Sequence, residues 1–308
     1  MRTLVTGVSG YVGAALAERL RRDGHAVRGF ARSRERVAAA GVELDELVVG
    51  DVTTGAGLER ALDGVDVAYY LIHSMEGAAA GAFAEAERRS AEAFATAASR
   101  AGLRRVVYLG GLVPRDAPPS RHLGSRLAVE GALLAAVPEA IALRASIVIG
   151  ARSRSFRFLV RLIERMPVMA LPAWRENRTA PIDGRDMLEY LARAATAPGE
   201  LAGRSWDIGG PDVMTYAAMI AGISDALMVR RPALGLGLSL TPVASVVAAA
   251  IAGEDPALIE PLMESLEHDL LPRDSDAAGA FGVHLHTFDA AVERALREWE
   301  HTEELAAR

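Results

Sequence analysis

Residues 6–13 read Thr-Gly-Val-Ser-Gly-Tyr-Val-Gly, directly after a short apolar run and directly before a helical pattern. The three glycines have the spacing G-x-x-G-x-x-G. At such a junction Gly7 permits a tight turn, Gly10 lets a ligand approach the backbone, and Gly13 lets the helix pack closely on the strand. Backbone N–H groups and the positive end of the helix dipole then bind phosphate. The stretch therefore predicts a strand–turn–helix unit that holds the phosphates of a nucleotide.

The first half of the chain alternates short apolar runs with amphipathic stretches. The predicted strands are Thr3–Thr6, Ala26–Phe30, Leu47–Val49, Val67–Ile72, Arg105–Leu109 and Ile141–Arg144. The predicted helices are Val12–Arg22, Leu58–Leu62, Ala82–Ala101 and Leu123–Ala136. Because the strand runs are continuously apolar, they indicate a parallel sheet covered on both faces. The predicted fold class is α/β, a doubly wound parallel Rossmann sheet with a smaller, mostly helical C-terminal substrate region.

Beyond Gly150 the pattern loosens, and proline and glycine are scattered through it. The strand Ser205–Ile208 is expected to rejoin the sheet. The helix candidates are Phe156–Arg165, Arg185–Ala195, Asp212–Leu227, Pro256–Leu266 and Phe288–Glu304. We predict a nucleotide-binding domain over residues 1–150, with its sheet completed from within 178–210. A mainly substrate-binding region is expected over 151–308, interleaved with the sheet.

Composition excludes several classes of function. The chain of 308 residues has a net charge of -6 with acidic and basic residues interspersed, so we expect no nucleic-acid partner. It contains no cysteine, which excludes disulfides, thiolate nucleophiles and thiolate metal sites, and no metal site is expected. The first residues carry no apolar signal region, so a cytoplasmic location is the default expectation. Lysine is also absent.

One uncharged stretch, Pro232–Gly253, approaches the length of a membrane-spanning helix. Prolines and glycines interrupt its first half, and only Val243–Ala252 is left as an apolar helix. We interpret the stretch as a buried segment of the substrate region, so no integral membrane segment is expected. The alternative is a lid that touches lipid or an apolar substrate.

The end of the second predicted strand bears on the choice of nucleotide. Residues 29–34 read Gly-Phe-Ala-Arg-Ser-Arg and include no acid for the ribose hydroxyls that NAD presents. Arg32, with Ser33 and Arg34, would instead bind a 2′-phosphate through charge-assisted hydrogen bonds. This pattern favours NADP(H), and the alternative is a solvated start of the next helix.

With these features the chain resembles the extended and atypical short-chain dehydrogenase/reductase family, which binds NAD(P) on a Rossmann domain, over nearly its whole length. The motifs that carry the resemblance are TGxxGxxG at 6–13, Gly-Asp-Val at 50–52, YLIHSM at 70–75, LRASIVIG at 143–150, Ile-Asp-Gly-Arg-Asp at 182–186 and Trp-Asp-Ile-Gly-Gly at 206–210. Two of these strings, YLIHSM and LRASIVIG, are closest to a bacterial atypical subgroup.

The glycine loop, the second strand and the resemblance together imply a set of contacts with NADP(H). They come from the loop and from the ends of successive strands. The residues are Gly7, Ser9, Gly10, Tyr11, Val12, Gly13, Arg32, Ser33, Arg34, Asp51, Val52, Leu71, Ile72, His73, Leu109, Gly110, Gly111, Arg126, Ala145, Ser146 and Ile147.

The sequence departs from the family at the catalytic centre. Family reductases use a serine after strand five and a Tyr-x-x-x-Lys pair on the next helix, whereas this chain has Gly110-Gly111 and no lysine. His122 and Arg126 stand in place of the pair, on one helical face. Arg126 would bind a ribose hydroxyl and supply positive charge, and His122 would pass a proton to a substrate oxygen. The alternative is two ordinary polar residues, and Ser125 offers a further hydroxyl.

Several other polar residues are weaker candidates. His73 contacts cofactor or substrate in one interpretation and is a satisfied loop residue in the other. His284 and His286 alternate as on a strand but lack a third metal ligand. Arg152, Arg154 and Arg157 would steer an anionic substrate, although a solvated helix start is the preferred interpretation.

Two classes of function follow. The first is an NADP(H)-dependent oxidoreductase that reduces an apolar conjugated carbonyl, enone or quinone-like small molecule, with isomerisation or dehydration left open. The second is a non-catalytic NADP(H)-binding redox sensor or assembly factor. The long helices Ala82–Ala101 and Leu123–Ala136 resemble those that pair subunits in the family, so the chain is expected to be a monomer or a homodimer.

Overall fold

The structure of the chain is a computed structural model that describes residues 1–72, 80–235, 263–273 and 276–305. Its strands are β1 (Arg2–Thr6), β2 (Ala26–Ala31), β3 (Glu46–Val49), β4 (Val67–Tyr70), β5 (Arg105–Gly111), β6 (Ile141–Ala145), β7 (Val148–Ile149), β8 (Met169–Leu171), β9 (Arg178–Thr179), β10 (Ile182–Asp183), β11 (Arg204–Ile208), β12 (Met214–Thr215) and β13 (Ala233–Gly235). Its helices are α1 (Tyr11–Arg22), α2 (Arg34–Ala39), α3 (Leu58–Leu62), α4 (Ala80–Arg100), α5 (Arg121–Ala136), α6 (Arg154–Arg165), α7 (Gly184–Ala194), α8 (Tyr216–Ala226), α9 (Ala277–Phe281) and α10 (Phe288–Glu300).

The central sheet has seven parallel strands in the order β11-β6-β5-β4-β1-β2-β3. The chain runs from β1 outward to β3 and then returns to β4 on the other side of β1. Ligands of such sheets bind at the carboxyl ends of the strands where the order reverses, which here is between β1 and β4. The predicted doubly wound α/β fold is confirmed, and β11 from the second half of the chain is the strand that follows β6 at the edge.

Helices cover both faces of the sheet. Because side chains alternate along a strand, the neighbours Tyr69 and Tyr70 of β4 point to opposite faces. Tyr69 packs among residues of α1 and α7 and donates its hydroxyl to the carbonyl of Leu191 at 3.2 Å. Tyr70 packs against Phe94 of α4, with ring centroids 5.0 Å apart, in the layer that also holds α3 and α5. A separate apolar cluster joins α6, α8 and α10.

Two buried arginines of the sheet cap helix ends. Arg28 of β2 donates to the carbonyl oxygens of Arg60, Ala61 and Asp63 at the end of α3, at 3.1, 2.8 and 2.7 Å. Arg105 of β5 donates to two carbonyl oxygens at the end of α7, at 3.2 and 2.9 Å. The last carbonyls of a helix lack intrahelical partners, and a cation there also interacts well with the helix dipole. The polar interruptions in otherwise apolar strands therefore hold the helix layers to the sheet.

Some predicted helix boundaries were wrong. The helix predicted over Asp212–Leu227 begins at Tyr216, because the hydroxyl of Thr215 accepts a hydrogen bond from Ala218 N at 3.1 Å and caps the helix. The helix predicted over Phe288–Glu304 ends at Glu300. Helix α2 was not predicted, since its six residues are too few for a clear apolar period.

The uncharged stretch is described only up to Gly235, so the predicted helix Val243–Ala252 lies outside the described residues. The same holds for most of the predicted helix Pro256–Leu266. Within the described ranges, no helix combines the length and the apolar character that crossing a membrane requires.

Candidate cofactor site

The glycine loop is a turn that side chains would fill. Gly7 has a φ of +65°, and a Cβ atom there would lie 2.7 Å from the carbonyl oxygen of Leu71. A Cβ atom on Gly13 would lie 2.4 Å from the carbonyl oxygen of Gly7. The N–H of Gly10 donates to that same oxygen at 2.9 Å and leads into α1. The loop is thus closed around backbone atoms, and the N-terminus of α1 presents its N–H groups to a ligand above it.

Thr6 fixes the loop to the neighbouring strand. Its buried hydroxyl donates to the carbonyl of Tyr69 at 3.0 Å and accepts from the N–H of Leu71 at 3.0 Å. Because this side chain takes over the hydrogen bond of Leu71, the strand predicted over Val67–Ile72 ends at Tyr70. Leu71 and the N atom of Ile72 are thereby held close to Gly7. His73, the next predicted residue, lies outside the described residues.

Tyr11 connects the loop to the C-terminal part of the chain. Its hydroxyl lies against Gly150 and Gly184, where there is no room for a side chain. A Cβ atom on Gly150 would be 2.4 Å from the hydroxyl oxygen, and one on Gly184 would be 2.7 Å from it. Burial, followed by the charge of Glu298 on α10, raises the pKa of Tyr11 to about 12. Tyr11 is therefore packed against the segment before α6 and the start of α7, close to α10. Sequence reasoning missed this packing because no local pattern links the two glycines to Tyr11.

A buried ion-pair cluster stands beside Tyr11. Asp183 caps α7 and binds Arg185 at 2.7 Å and Arg294 of α10 at 2.9 Å. Arg294 binds Glu298 as well, at 2.9 Å. The hydrogen bonds and charges of the two arginines outweigh burial and lower the pKa of Asp183. This carboxylate is therefore ionised, and it holds α7 and α10 together next to the loop.

Filling the space around the Tyr11 hydroxyl gives a prediction that a second, compensating substitution can test. Gly150→Ala is expected to lower the free energy of unfolding by about 2 kcal/mol, because the added methyl group overpacks a filled site. The added Cβ meets the hydroxyl and, at 3.4 Å, the ring carbon that bears it. Tyr11→Phe in the same chain is therefore expected to restore most of the loss.

Urea unfolding measures both effects. Gly124→Ala is the matched control, since a Cβ atom there has no atom within 4 Å. If the Gly150→Ala loss is as large with phenylalanine at position 11 as with tyrosine, the assigned packing is wrong.

The loop after β3 folds back at the predicted adenine end. The carboxylate of Asp51 accepts from the N–H of Thr53 at 2.8 Å, and the N–H of Asp51 donates to the carbonyl of Ala56 at 3.0 Å. A Cβ atom on Gly50 would lie 2.2 Å from that carbonyl oxygen. Val52 is buried. The Gly-Asp-Val step is thus a tight turn with one carboxylate at its start.

The end of β2 carries exposed cations. Arg32 and Arg34 are exposed, and among the described residues no carboxylate forms an ion pair with Arg32. The hydroxyl of Ser33 accepts from Arg36 N at 3.1 Å and donates to Glu35 at 2.6 Å. Ser33 was predicted as a phosphate ligand, and its side chain is already committed to capping α2. The two arginines remain the groups that a 2′-phosphate would meet.

Helix α5 carries His122, Ser125 and Arg126 and packs against β5. Arg126 is 8% exposed, and its carbonyl oxygen accepts from the hydroxyl of Tyr108 at 3.3 Å. Burial, and then the positive charge of Arg126, lower the pKa of His122 to about 3. His122 is therefore neutral at physiological pH, so in this state it can donate one N–H hydrogen bond but is not an imidazolium acid.

The buried imidazole gives a pH prediction. The pKa of His122 is about 3 in the folded chain and about 6.5 when unfolded, so the unfolded chain binds more protons between these values. Stability due to this residue is thus lost as the pH falls below about 6.5, by up to about 1.4 kcal/mol per pH unit. Urea unfolding of the wild type and of His122→Gln should diverge in acid sensitivity between about pH 7 and about pH 5. Parallel losses in the two chains would contradict the assignment.

Sequence reasoning also missed a buried carboxylate on α4. Glu87 is 4% exposed and accepts a short hydrogen bond from Ser125 of α5. The hydroxyl of Ser125, predicted as a further group for the substrate, is therefore directed into the α4–α5 contact. The sequence signal of Glu87 was weak, because α4 carries several other glutamates and arginines on its exposed face.

The ends of β5 and β6 complete the predicted site. A Cβ atom on Gly111 would lie 3.1 Å from Leu123 of α5, so the helix comes close to the strand where the family places serine. Ala145 is buried. The hydroxyl of Ser146 is 3.0 Å from that of Thr179, and the carbonyl of Ile147 accepts from Ile182 N at 2.9 Å. Leu109 is buried, and a Cβ atom on Gly110 would lie 3.1 Å from the ring of Tyr108.

A second buried charge network fixes the base of α5. Arg144 of β6 binds both carboxylate oxygens of Glu130 on α5, at 2.6 and 2.9 Å, and lies 3.6 Å from Asp207 of β11. Asp207 in turn accepts from the N–H of Arg273 at 3.1 Å. Arg144 was predicted only as part of a strand. The two hydrogen bonds between Arg144 and Glu130 hold α5 against β6 and β11.

The remaining candidates are placed elsewhere. Nδ1 of His286 is 2.6 Å from the buried carboxylate of Asp186, and the ring of His284 lies beside that of His286. In the part of the chain that is described, no three His, Asp or Glu residues are grouped as metal ligands. Arg157 binds Glu303 at 2.7 Å, and Arg152 is exposed. A surface cavity of about 620 Å³ between α3 and α4 contains none of the predicted site residues.

Comparison with known proteins gives a consistent result. Residues 7–146 match the family model described as NAD(P)H-binding. The chain is 28% identical over 195 residues to a ceramide reductase of Caulobacter vibrioides, covering 63% of this chain and 61% of that protein. It is 28% identical over 134 residues to NADH dehydrogenase (ubiquinone) 1 alpha subcomplex subunit 9, mitochondrial, of Arabidopsis thaliana, covering 43% and 33%. The chain thus spans less than two thirds of the length of either relative.

A solved structure supports the same fold. A short-chain dehydrogenase/reductase superfamily protein from Agrobacterium tumefaciens with bound NAD superimposes with a TM-score of 0.72, at 21% identity over 98% of each chain. At this identity the likeness shows the fold. It bears out the Rossmann fold that the resemblance implied, and the match of residues 7–146 bears out its NAD(P)H-binding part.

Proposed function

We propose that the chain is an NADP(H)-dependent oxidoreductase acting on a small apolar molecule. The match of residues 7–146 to the NAD(P)H-binding family model supports this proposal, as does the fold shared with the NAD-bound structure. One observation carries the proposal: the backbone cradle of Gly7 to Gly13 joins the end of β1 to the N-terminus of α1, at the edge of the sheet where nucleotides bind in such folds. The cradle fits a pyrophosphate because the first backbone N–H groups of a helix have no intrahelical partner and can donate to phosphate oxygens. A bound nicotinamide cofactor supplies hydride chemistry at this edge.

The choice of NADP(H) depends on the end of β2. Arg32 and Arg34 are exposed cations, and no acid is present in residues 29–34 to bind ribose hydroxyls. A guanidinium group binds phosphate with two parallel hydrogen bonds, which favours a 2′-phosphate over a hydroxyl. Arg32 is therefore the proposed determinant of cofactor preference.

Arg32→Glu tests this determinant. The change is expected to weaken NADPH binding by about a hundredfold, because a cation–phosphate pair becomes a repulsive one. NADH has no 2′-phosphate, so its affinity should change by less than about threefold. Calorimetric titration with both nucleotides measures the two effects in one protein. Equal losses for NADPH and NADH would reject the assigned role.

The side chains of α5 favour a particular class of acceptor. Arg126 cannot deprotonate, so it can stabilise negative charge on a substrate oxygen but cannot act as the acid. His122 is neutral and offers one hydrogen bond. A simple ketone would need a stronger proton donor, whereas a conjugated carbonyl, enone or quinone spreads the developing charge. We therefore propose reduction of such a compound, with Arg126 as the electrostatic group and His122 as the hydrogen-bond donor.

Two further observations support an apolar substrate. The residues 232–253 of the proposed substrate region contain no charge. The relatives named above are a ceramide reductase and a subunit of NADH dehydrogenase (ubiquinone), so one name denotes a reductase and the other includes a quinone. Isomerisation or dehydration of a similar compound beside bound cofactor would use the same two side chains.

A non-catalytic NADP(H)-binding role is the second candidate. It is favoured by the glycines at 110 and 111 and by the low pKa of His122, since together they leave α5 without an acid. NADPH consumption against a panel of quinones and enones separates the two roles. Turnover that is lost in His122→Ala supports the reductase, and tight binding without turnover supports the sensor or assembly factor.

The organisation of the molecule enters the proposal in the same way. We propose a cofactor domain over 1–150 and a substrate region over 151–308 that is interleaved with the sheet through β11. We propose a cytoplasmic monomer or homodimer. Gel filtration with light scattering measures the oligomeric state.

A further inference from the structure

Glu87 is a buried carboxylate that the proposed chemistry does not use. It lies on α4 and is 4% exposed, and the hydroxyl of Ser125 donates to it across the α4–α5 contact. Ser125 directly precedes Arg126 on α5. A carboxylate is costly to bury unless it is hydrogen-bonded and charge-compensated. Its hydrogen bond to the residue that precedes the buried Arg126 therefore needs an explanation.

Glu87 and Arg126 act on the same pair of hydroxyl groups. Burial is the main cause that raises the pKa of Tyr70 and of Tyr108, the latter to about 12. In both cases the charge of Glu87 raises the pKa further and the charge of Arg126 lowers it. The two opposite charges thus act on neighbouring buried hydroxyl groups, because Tyr70 of β4 and Tyr108 of β5 are paired in register. Tyr108 also fixes the backbone of α5 there, by donating to the carbonyl of Arg126 at 3.3 Å.

The same face of α4 reaches the other end of the cofactor site. Ser90 follows Glu87 by three residues and so lies on the same side of the helix. Its hydroxyl is 3.1 Å from that of Thr53, whose N–H donates to the carboxylate of Asp51 at 2.8 Å. Ser90 is 1% exposed and Thr53 is exposed, so this contact is partly buried, whereas that of Glu87 is buried. Helix α4 therefore contacts both the predicted adenine loop and α5 through side-chain hydrogen bonds.

We propose that Glu87 is a positioning residue for Arg126: acting through Ser125 and as the buried counter-charge, it holds the guanidinium at the nicotinamide end of the cofactor. Ser90 does the same for the adenine loop through Thr53. The separation between the two ends of the cofactor site is thus set by one face of α4. This inference rests on the proposed NADP(H) function, and it goes beyond it by assigning the two halves of the cofactor to two residues of α4.

A matched pair of hydroxyl deletions tests the inference. Ser125→Ala and Ser90→Ala each remove one hydroxyl oxygen from a side-chain hydrogen bond made on the same face of α4. The probes are NADPH and adenosine 2′,5′-bisphosphate, which has the adenine and the 2′-phosphate but no nicotinamide. Ser125→Ala is expected to weaken NADPH about tenfold and to leave the bisphosphate within about twofold of the wild type. Ser90→Ala is expected to weaken both probes by the same factor, about fivefold.

Two charge variants test whether Glu87 acts through Arg126. Glu87→Gln keeps the shape and one acceptor oxygen, and it should weaken NADPH while sparing the bisphosphate, as Ser125→Ala does. Combined with Arg126→Gln, it should add no further loss of NADPH affinity, since residues that act as a unit are not additive. Thermal unfolding of each variant shows whether the chain being titrated is folded. If Glu87→Gln does not fold, the titration of Ser125→Ala remains the test.

The outcomes separate this inference from the function on which it rests. A wild-type chain that binds neither probe overturns the proposed function. A wild-type chain that binds both, with Ser125→Ala weakening them equally, shows a merely structural contact and overturns the inference alone. Additive losses in Glu87→Gln with Arg126→Gln would also overturn it.

Discussion

Gly13→Ala is expected to abolish measurable NADPH binding, a loss of at least about a hundredfold. The added Cβ atom would lie 2.4 Å from the carbonyl oxygen of Gly7 and 2.9 Å from the Cα atom of Val8. Both are backbone atoms, so relief requires α1 to move away from the loop. That movement displaces the N–H groups that bind the pyrophosphate, and phosphate binding at a helix start depends on their positions.

Gly131→Ala is the matched control for this change. Gly131 lies on α5, and a Cβ atom there would have no atom within 4 Å. The control should bind NADPH as the wild type does and gain about 0.5 to 1 kcal/mol of stability from the better helix former. Calorimetric titration and urea unfolding measure the two quantities. Wild-type affinity in a folded Gly13→Ala chain would contradict the assignment of the loop.

Arg126→Gln is expected to lower turnover by about a hundredfold on any quinone or enone that the wild type reduces. The guanidinium is buried, so its charge acts in a medium of low polarity, and removal of one such stabilising group costs about this much. NADPH consumption under saturating substrate measures kcat. The loss should fall on kcat more than on KM, because the charge that is stabilised develops in the transition state.

Arg121→Gln is the control for the loss of an arginine from the same helix. The Arg121 side chain is largely exposed and is 3.5 Å from Glu264. Its replacement should leave turnover within about twofold of the wild type, as expected for an exposed pair. Equal rates in the Arg126→Gln and wild-type chains would remove Arg126 from the proposed chemistry.

The sequence predicted the sheet well because each strand carries its own signal. The runs at residues 3–6, 26–30 and 141–144 are mainly apolar, and the strands found there differ from them by at most one residue at each end. The glycine loop was equally predictable, because its glycine spacing indicates a tight turn between a strand and a helix. Segments without such a period, such as α2, left no comparable signal.

Side-chain pairings across the fold were the part that sequence could not supply. Glu87 and Ser125, or Tyr11 and Gly150, are far apart in the chain, and nothing local indicates that they touch. Ser33 shows the opposite problem, because its position fits both a phosphate ligand and a helix cap. The structure places its hydroxyl in the cap. The charge state of His122 likewise depends on burial and on Arg126, which a lone histidine in a sequence does not reveal.

The most direct test of the account is calorimetric titration of the wild-type chain with NADPH and with NADH. The glycine cradle and the exposed Arg32 predict saturable binding of one NADPH per chain, at least about tenfold tighter than NADH. Tighter binding of NADH than of NADPH would contradict only the role assigned to Arg32. No binding of either nucleotide would contradict the central claim that this chain holds a nicotinamide cofactor.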